Sequence, residues 1–162
     1  MNYYVDGSYD KDLHVSGYSA ICVDDDNIII RVLRGQTAFS GWTNMRNVGG
    51  ELLAALAAVN DAIAHGYESV EIFHDYTGIQ KWADEEWKCN NPYTELYHDI
   101  MSVYKKKIAI KFFKIRAHTG VKFNEMADQC AKVGYEDKNN PFLLTLDDDF
   151  VKNMLISDIY YF

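Results

Sequence analysis

The sequence predicts an α/β protein with a five-stranded mixed sheet flanked by helices. Three observations predict this class. The first 33 residues contain three strand-like stretches, a long amphipathic helical stretch follows, and two more strand-like stretches then alternate with helices. A meander followed by strand–helix–strand units gives antiparallel strands that continue into parallel ones.

The first three strands are predicted over residues 3–9, 17–23 and 28–33, which are rich in β-branched and aromatic side chains. Residues 24–27 join the second and third strands through a short, turn-rich link, so we expect a hairpin. The three aspartates of this link lack the later ligands of an EF-hand loop, which favours a solvated turn over a metal site. Residues 35–44 are expected to be irregular.

Three long helices are predicted. The first begins near Val48 and ends at Gly66, with apolar side chains recurring every three or four residues along one face. The others begin at Pro92, which suits the first position of a helix, and at Lys122.

The remaining strands are predicted over residues 70–75 and 108–115. Thr77 is a candidate N-cap for a short helix that extends through Trp87.

The composition indicates one globular domain. A chain of 162 residues with 48% hydrophobic content can bury a substantial core. No run of about 18 apolar residues could span a membrane, and the N-terminus lacks the basic and apolar segments of a secretion signal. Cys22, Cys89 and Cys130 are irregularly spaced, which favours reduced thiols over disulfides or a zinc site. We expect a cytoplasmic monomer.

The positive charge is concentrated in one segment. The net charge of −8 argues against non-specific nucleic-acid binding by the whole surface. Within residues 105–122, however, no acid interrupts a lysine strip that consists of Lys105, Lys106, Lys107, Lys111, Lys114, Arg116 and Lys122. Two interpretations stay open: a solvated helix end that suits the helix dipole, or a surface that contacts phosphates.

The domain is expected to end near residue 136. Residues 137–162 form a C-terminal extension that contains an acidic run at residues 147–149. Residues 150–162 are predicted to form an amphipathic helix, with the acidic run at the N-terminal end that favours negative charge. We expect the extension to pack on the domain; a dimer contact or a partner site is the alternative.

Four acids lie in or beside predicted apolar elements. Asp6 lies in the first strand, Glu51 in the first turn of the long helix, Asp75 at the end of the fourth strand and Asp128 inside the last helix. An isolated Asp-Gly pair favours a turn, but parallel first and fourth strands would place Asp6 beside Asp75, where such sheets bind ligands. Clustered carboxylates repel unless a cation joins them, and oxygen ligands select Mg²⁺ or Mn²⁺ over zinc. Two such ions are the device for in-line cleavage of phosphodiesters.

Five motifs around these acids occur in one order. They are Val5-Asp6-Gly7-Ser8, Asn47-x-x-x-Glu51, Phe73-His74-Asp75, Ala117-His118-Thr119-Gly120 and Asn124-Glu125-x-x-Asp128. Each motif alone is common, but together, across roughly residues 1–134, they resemble the type 1 ribonucleases H (ribonuclease HI). The resemblance implies that residues 1–136 form a ribonuclease H-like catalytic domain. It also implies Mg²⁺-dependent cleavage of the RNA strand of RNA–DNA hybrids, leaving 5′-phosphate and 3′-hydroxyl ends.

The resemblance implies roles for individual residues. Asp6, Glu51, Asp75 and Asp128 would hold Mg²⁺, for which Mn²⁺ can substitute. His118, on a loop, would assist proton transfer or product release, since an imidazole titrates near neutral pH.

The expected contacts with the hybrid surround these acids. They are Gly7, Ser8, Asn47, Gly49, Gly50, Thr77, Asn124 and Glu125. Gly49 and Gly50 would let the backbone approach a ribose 2′-hydroxyl, the group that distinguishes RNA from DNA. A loose helix start is an equally open explanation of these two glycines.

The chain departs from the family pattern in two places. Many members carry a glutamine after the third acid that reads the minor groove, whereas this chain has Tyr76 and Thr77 there. Some members carry a basic, tryptophan-bearing helix, whereas residues 82–88 are short and acidic in this chain. We therefore expect weaker hybrid binding, with the lysine strip as a partial substitute.

Three hypotheses about function follow. The leading one is an active endonuclease on RNA–DNA hybrids, because all four acids and His118 are present. The second is a hybrid-binding module with weak or no turnover, motivated by the missing glutamine and the net negative charge. The third is a related nuclease that acts on a different nucleic acid.

Overall fold

The computed structural model describes residues 1–116 and 121–136, which form one five-stranded sheet flanked by helices. The strands are β1 (Asn2–Asp10), β2 (Val15–Val23), β3 (Ile29–Thr37), β4 (Ser69–His74) and β5 (Ala109–Lys114). The helices are α1 (Ser40–Thr43), α2 (Asn47–Ala64), α3 (Gly78–Ala83), α4 (Pro92–Lys105) and α5 (Lys122–Glu136).

The strand order confirms the predicted fold class. Across the sheet the order is β3-β2-β1-β4-β5. The first three strands form an antiparallel meander, whereas β4 pairs parallel with β1 and β5 pairs parallel with β4. The carboxyl ends of β1 and β4 therefore lie side by side at one edge of the sheet, the position at which open α/β sheets bind ligands.

Most of the core lies between one face of the sheet and the helices α2 and α4. Tyr3 and Val5 of β1 belong to the same buried cluster as the leucines of α2 and the aromatic residues Tyr97 and Tyr104 of α4. Burying a large apolar side chain contributes about 1.5–3 kcal/mol, so this layer supplies much of the stability. Within the described residues, no helix is long and apolar enough to cross a membrane.

The opposite face of the sheet carries α5. The buried residues of this smaller cluster are Ile21, Val23, Phe123 and Ala127. Two strand serines also tie the helix down, since Ser8 Oγ donates to the carbonyl of Ala131 at 2.8 Å and Ser19 Oγ donates to the carbonyl of Ala127 at 2.6 Å. These contacts set the position of α5 along β1 and β2.

Two local predictions are wrong. The sequence predicts an irregular chain over residues 35–44, whereas β3 continues to Thr37 and α1 follows, because pairing with β2 and burial of Trp42 outweigh weak local propensity. Thr77 is predicted to cap a helix that extends through Trp87. Its backbone is itself helical, its side chain makes no capping hydrogen bond, and α3 ends at Ala83.

The predicted start of α4 at Pro92 is confirmed. The side chain of Asn91 accepts hydrogen bonds from the backbone N–H groups of Tyr93 and Thr94, both at 2.9 Å. The Thr94 side chain accepts a hydrogen bond from the backbone N–H of Asn91, which completes a capping box.

A buried carboxylate network connects α2 with the sheet and involves none of the four predicted acids. Asp61 Oδ2 accepts hydrogen bonds from the Tyr3 hydroxyl at 2.5 Å and from Arg31 Nη2 at 2.8 Å. Burial, and then the hydrogen bond to Asp61, raise the pKa of Tyr3, which therefore stays a neutral donor. The network compensates the charge of a carboxylate that is only 7% exposed.

We expect Asp61→Ala to lower the free energy of unfolding by about 3 kcal/mol, because it leaves Arg31 without its buried counter-charge. Urea unfolding of the wild type and the variant measures the change. Asp25→Ala, which removes an exposed carboxylate in the β2–β3 turn, is the matched control. Equal losses in the two variants would contradict this account of the network.

A second ionic contact joins α4 to the segment between α3 and α4. His98 Nε2 lies 3.0 Å from Glu85 Oε1, and His98 Nδ1 lies 3.1 Å from Asp99 Oδ1. The hydrogen bond with Glu85 is the main cause that raises the pKa of His98 above its ordinary value. Because the folded protein holds this proton more tightly than the unfolded chain, the contact stabilises the fold fully below pH about 6.5.

We expect His98→Gln to destabilise the protein by about 0.5 kcal/mol near pH 5.5, a small effect because the Glu85 carboxylate is 76% exposed and screened by solvent. The difference should shrink as the pH rises through the folded-state pKa of His98. Urea unfolding from pH 5.5 to 8.5 measures it, and a Glu85→Gln background should reduce the pH dependence. A destabilisation that grows with pH would contradict the assignment.

Candidate active site

Three of the four predicted metal ligands meet at the carboxyl ends of β1 and β4. Asp6, Glu51 and Asp75 each offer a carboxylate oxygen, and these oxygens lie within 4.8 Å of one another. The register explains the pair from the strands. Tyr4 of β1 is aligned with Phe73 of β4. Asp6 follows Tyr4 by two residues and Asp75 follows Phe73 by two residues, and side chains two residues apart point to the same face of a sheet.

Glu51 reaches this edge because α2 packs directly on strand backbone. A Cβ atom on Gly7 would lie 2.2 Å from the backbone nitrogen of Glu51, and a Cβ atom on Gly50 would lie 2.2 Å from the carbonyl oxygen of Gly17. Only glycine permits these approaches. Glu51 is the fifth residue of α2, so it lies just beyond the first turn in which the sequence predicts it.

The space beside the predicted substrate-binding glycines is filled by the protein itself. A Cβ atom on Gly49 would lie 2.3 Å from the carbonyl oxygen of Trp42, and Gly7 and Gly50 face backbone in the same way. The structure thus gives all three glycines a packing role. Their contact with a ribose stays a prediction.

The cluster is buried and electrostatically unfavourable on its own. Asp6 is 5% exposed and Glu51 is 4% exposed. Burial chiefly raises the pKa of Asp6 to about 6; its hydrogen bond with Glu51 opposes this shift and the charge of Asp75 supports it. Burial and the neighbouring charge of Asp6 raise the pKa of Glu51 well above its ordinary value.

Asp128 lies at the rim of this cluster rather than inside it. Its charge contributes to the raised pKa of Asp6, so α5 does bring it near. Asp128 Oδ2, however, pairs with Lys132 Nζ at 2.8 Å, one turn further along α5. The cluster that the structure assembles within 4.8 Å therefore contains three of the four predicted acids.

The other predicted site residues have different surroundings. His118 lies outside the described residues. Asn47 is exposed at the start of α2, Thr77 is half-buried just before α3, and Glu125 is exposed on α5. The Ser8 hydroxyl is engaged with the carbonyl of Ala131.

Asn124 is a buried polar residue among the predicted substrate contacts. Its residue is 3% exposed. Its Oδ1 atom has no hydrogen-bond partner among the described residues. A buried amide oxygen without a partner is costly, so it is available to a group that enters the site.

Two positioning residues are not identified by the sequence alone. His74 is buried beside Asp75, its Nδ1 lies 2.9 Å from the carbonyl oxygen of Tyr76, and burial lowers its pKa, which favours a neutral ring. Lys114 of β5 donates to the carbonyl oxygen of Asp75. Both contacts hold the turn that carries Asp75. The motif Phe73-His74-Asp75 could have pointed to His74, whereas nothing in the sequence distinguishes Lys114 from other lysines in strands.

The residues of the cluster fit a divalent metal ion. They provide oxygen donors only, which suits a hard cation such as Mg²⁺ or Mn²⁺. Within the described part of the chain, the buried Oε2 atom of Glu51 has no hydrogen-bond partner. A bound cation would satisfy this oxygen and neutralise the repulsion between the acids.

The comparisons with known proteins agree with this geometry. The sequence profile of the RNase H family matches residues 1–136. The fold is similar to that of RNase H1 from the halophilic archaeon Halobacterium salinarum NRC-1, with a TM-score of 0.72 and 19% identity over 84% of this chain and 97% of that one.

Two further solved structures share the fold. The N-terminal RNase H domain of Rv2228c from Mycobacterium tuberculosis, solved as a fusion with maltose-binding protein, gives a TM-score of 0.69 with 14% identity, over 84% of this chain and 94% of that one. LC11-RNase H1 in complex with an RNA/DNA hybrid gives a TM-score of 0.66 with 14% identity, over 83% and 98%. No curated protein matches by sequence. The order of the motifs, the sheet and the family profile lead to one conclusion: the chain belongs to the RNase H family.

Proposed function

We propose that this protein is a divalent-metal-dependent endonuclease that hydrolyses the RNA strand of RNA–DNA hybrids and leaves 5′-phosphate and 3′-hydroxyl ends. The observation that carries the proposal is the buried cluster of Asp6, Glu51 and Asp75 in a chain of the RNase H family. The hybrid as substrate is supported by a fold neighbour, LC11-RNase H1, which was solved in complex with an RNA/DNA hybrid.

Asp6, Glu51 and Asp75 would hold the metal ions, and Asp128 would complete the set from α5. When bound, two Mg²⁺ ions would activate a water molecule and stabilise charge at the scissile phosphate. Glu51 is fixed by close backbone packing and Asp75 by the contacts of His74 and Lys114, so these carboxylates are preorganised. Asp128 is 25% exposed and keeps an ion pair with Lys132, so it is open to the solvent side of the site.

His118 is proposed to accept or deliver a proton at the leaving or attacking oxygen. The basis is its place in the Ala117-His118-Thr119-Gly120 motif, six residues before Asn124. A neutral-range imidazole can exchange a proton at the pH of the cell. Asn47, Asn124 and Glu125 are proposed to contact the RNA strand near the cleavage site.

The lysine strip is proposed to contact phosphates of the hybrid. Lys106, Lys107 and Lys111 are exposed. Two other members have internal partners, because Lys105 Nζ lies 2.6 Å from Asp84 Oδ1 and Lys114 contacts the carbonyl oxygen of Asp75. The strip is thus partly engaged in the fold, which favours modest rather than tight binding.

The principal alternative is a hybrid-binding module with weak or absent turnover. The acidic segment after α3 favours weak binding, since Glu85 and Glu86 are exposed where some family members present a basic helix. A nuclease with a different nucleic-acid substrate is the second alternative. A monomeric state and a cytoplasmic location remain predictions.

We expect the purified protein to cleave the RNA strand of an RNA–DNA hybrid with Mg²⁺ or Mn²⁺, and to leave duplex DNA, duplex RNA and single-stranded RNA largely uncut. Asp75→Asn should reduce cleavage by more than about 100-fold, because even supporting residues of metal ligands change activity by 10–100-fold. Labelled oligonucleotides resolved on denaturing gels measure both results, with Asp25→Asn as the exposed-acid control.

Three outcomes separate the hypotheses. Retention of the hybrid without cleavage in either metal would support the binding module. Preferential cutting of duplex DNA or another substrate would support the second alternative. Equal cleavage by Asp75→Asn and wild type would contradict the proposed site.

We expect Mg²⁺ to raise the melting temperature relative to EDTA, because the cation binds the assembled cluster and not the unfolded chain. At ten times the Kd the stabilisation is about 1.4 kcal/mol, or about 3–5 °C for a domain of this size. Glu51→Gln should raise the melting temperature in EDTA, since it removes a carboxyl group whose ionisation is opposed by burial and by Asp6, and should diminish the shift with Mg²⁺. Differential scanning calorimetry measures the melting temperatures of wild type and Glu51→Gln, each with Mg²⁺ and with EDTA. A full Mg²⁺ shift in Glu51→Gln would place the bound ion elsewhere.

A further inference from the structure

Three aromatic rings form a continuous stack across β1, β4 and β5 on the face of the sheet that carries α5. We call Tyr4, Phe73 and Phe113 the aromatic ladder. The ring centroids of Tyr4 and Phe73 are 4.7 Å apart, and those of Phe73 and Phe113 are 5.0 Å apart. Phe123 of α5 contacts the Tyr4 end at 5.2 Å, whereas Phe113 at the other end is 40% exposed.

The outer half of the ladder lies beyond the strands on which α5 mainly packs. α5 packs mainly on β2 and β1, with further contacts to β3. β4 and β5 carry the outer half of the ladder, and β5 is the edge strand of the sheet. Tyr4 and Phe73 are half-buried and Phe113 is exposed. A connected row of aromatic side chains that ends at an exposed ring indicates a surface that another apolar group covers.

The orientation of the rings indicates the chemistry of that group. The interplanar angles are 14° for Tyr4–Phe73 and 16° for Phe73–Phe113, and the centroid spacings match the distance of about 4.8 Å between neighbouring strands. The rings therefore stand on the sheet with their flat faces against one another and their edges outward. Nucleic-acid bases stack on flat ring faces, and both faces of the central ring, Phe73, are taken up by its neighbours. Ring edges suit aliphatic and aromatic side chains of a polypeptide.

We propose that the C-terminal extension of this same chain, residues 137–162, packs its apolar side chains on the aromatic ladder. This inference does not depend on nuclease activity. The extension is half apolar, and its predicted amphipathic helix over residues 150–162 places Phe150, Met154, Leu155, Ile159 and Tyr160 on one face.

The geometry of α5 makes the ladder accessible to this segment. From Phe123, which touches the ladder, to its end at Glu136, α5 rises about 20 Å. Residues 137–149 can span that distance back along the sheet, since an extended chain covers about 3.3 Å per residue. Packed helices lie about 8–10 Å apart, which equals about two strand spacings. A helix alongside α5 at that distance would therefore lie over β4 and β5.

Charge complementarity favours the same placement. The extension carries Asp147, Asp148 and Asp149 immediately before its predicted helix. The edge beside the ladder carries the lysine strip, in which Lys111 is exposed on β5 two residues before Phe113. An acidic run near these lysines is attracted to them.

A double-mutant cycle tests the proposal with the full chain and a chain that ends at Glu136. Each is combined with Phe113→Ser or with Ile30→Ser, a control on the opposite edge strand where Ile30 is 42% exposed. If the extension covers the ladder, Phe113→Ser should lower the melting temperature by about 3 °C more in the full chain than in the shortened one. Ile30→Ser should have the same effect in both. An equal effect of Phe113→Ser in the two chains would overturn the proposal.

A second measurement covers the case in which the shortened chain does not fold. In the full-length chain, Phe150, Met154 and Leu155 are replaced by Ser, and amide hydrogen exchange is followed by mass spectrometry. The amides of β5 should exchange at least about threefold faster than in wild type, while those of α2 stay unchanged. Unchanged exchange in β5 would overturn the proposal. The proposal would also be overturned if Phe113→Ser lowered the melting temperature only at concentrations at which the protein dimerises, because a second copy of the chain would then cover the ladder.

Discussion

The structure depends on bringing together three carboxylates that repel one another, two of which are buried. Asp6 and Glu51 are almost wholly shielded from water beside Asp75, and burial raises the pKa of both shielded acids. No fold gains stability from such a cluster by itself, because desolvation and like-charge repulsion both oppose it. A cation between the oxygens would relieve both costs, so the fold carries a candidate site for an ion at some cost in free energy. Functional sites commonly carry such a cost, which the surrounding core offsets.

The rest of the molecule holds these acids in place through rigid backbone contacts. Parallel pairing of β1 and β4 sets the spacing of two of them, and the glycines at Gly7 and Gly50 let α2 approach closely enough to deliver the third. Ser8 and Ser19 fix α5, and so the position of Asp128, through hydrogen bonds to its carbonyl groups. At least one partner in each of these contacts is a backbone atom, so the positions of the helices relative to the sheet depend little on side-chain rotation. Asp6 and Glu51 therefore lie on a strand and a helix of the scaffold, and Asp75 directly follows β4.

The sequence was sufficient for the fold class and for the three acids that the structure brings together, because both leave local signals. Strand and helix periodicities predict the element order, and an acid within an apolar stretch, as at Asp6, marks a site. Contacts between distant segments leave no such signal. The continuation of β3 to Thr37 depends on pairing with β2, and the hydrogen bond between Tyr3 and Asp61 depends on the packing of α2 against β1. The role of His74 rests on its burial and on one carbonyl oxygen, which residue type and spacing do not encode.

The most direct test of the account is to locate a bound ion. A crystal of the protein soaked in Mn²⁺ and measured at the manganese absorption edge gives anomalous peaks at the ion positions. The account predicts a peak between the carboxylates of Asp6, Glu51 and Asp75, at oxygen distances of about 2.1–2.3 Å. A lysine ammonium group in that space, or manganese bound only at surface acids such as those of the β2–β3 turn, would contradict it.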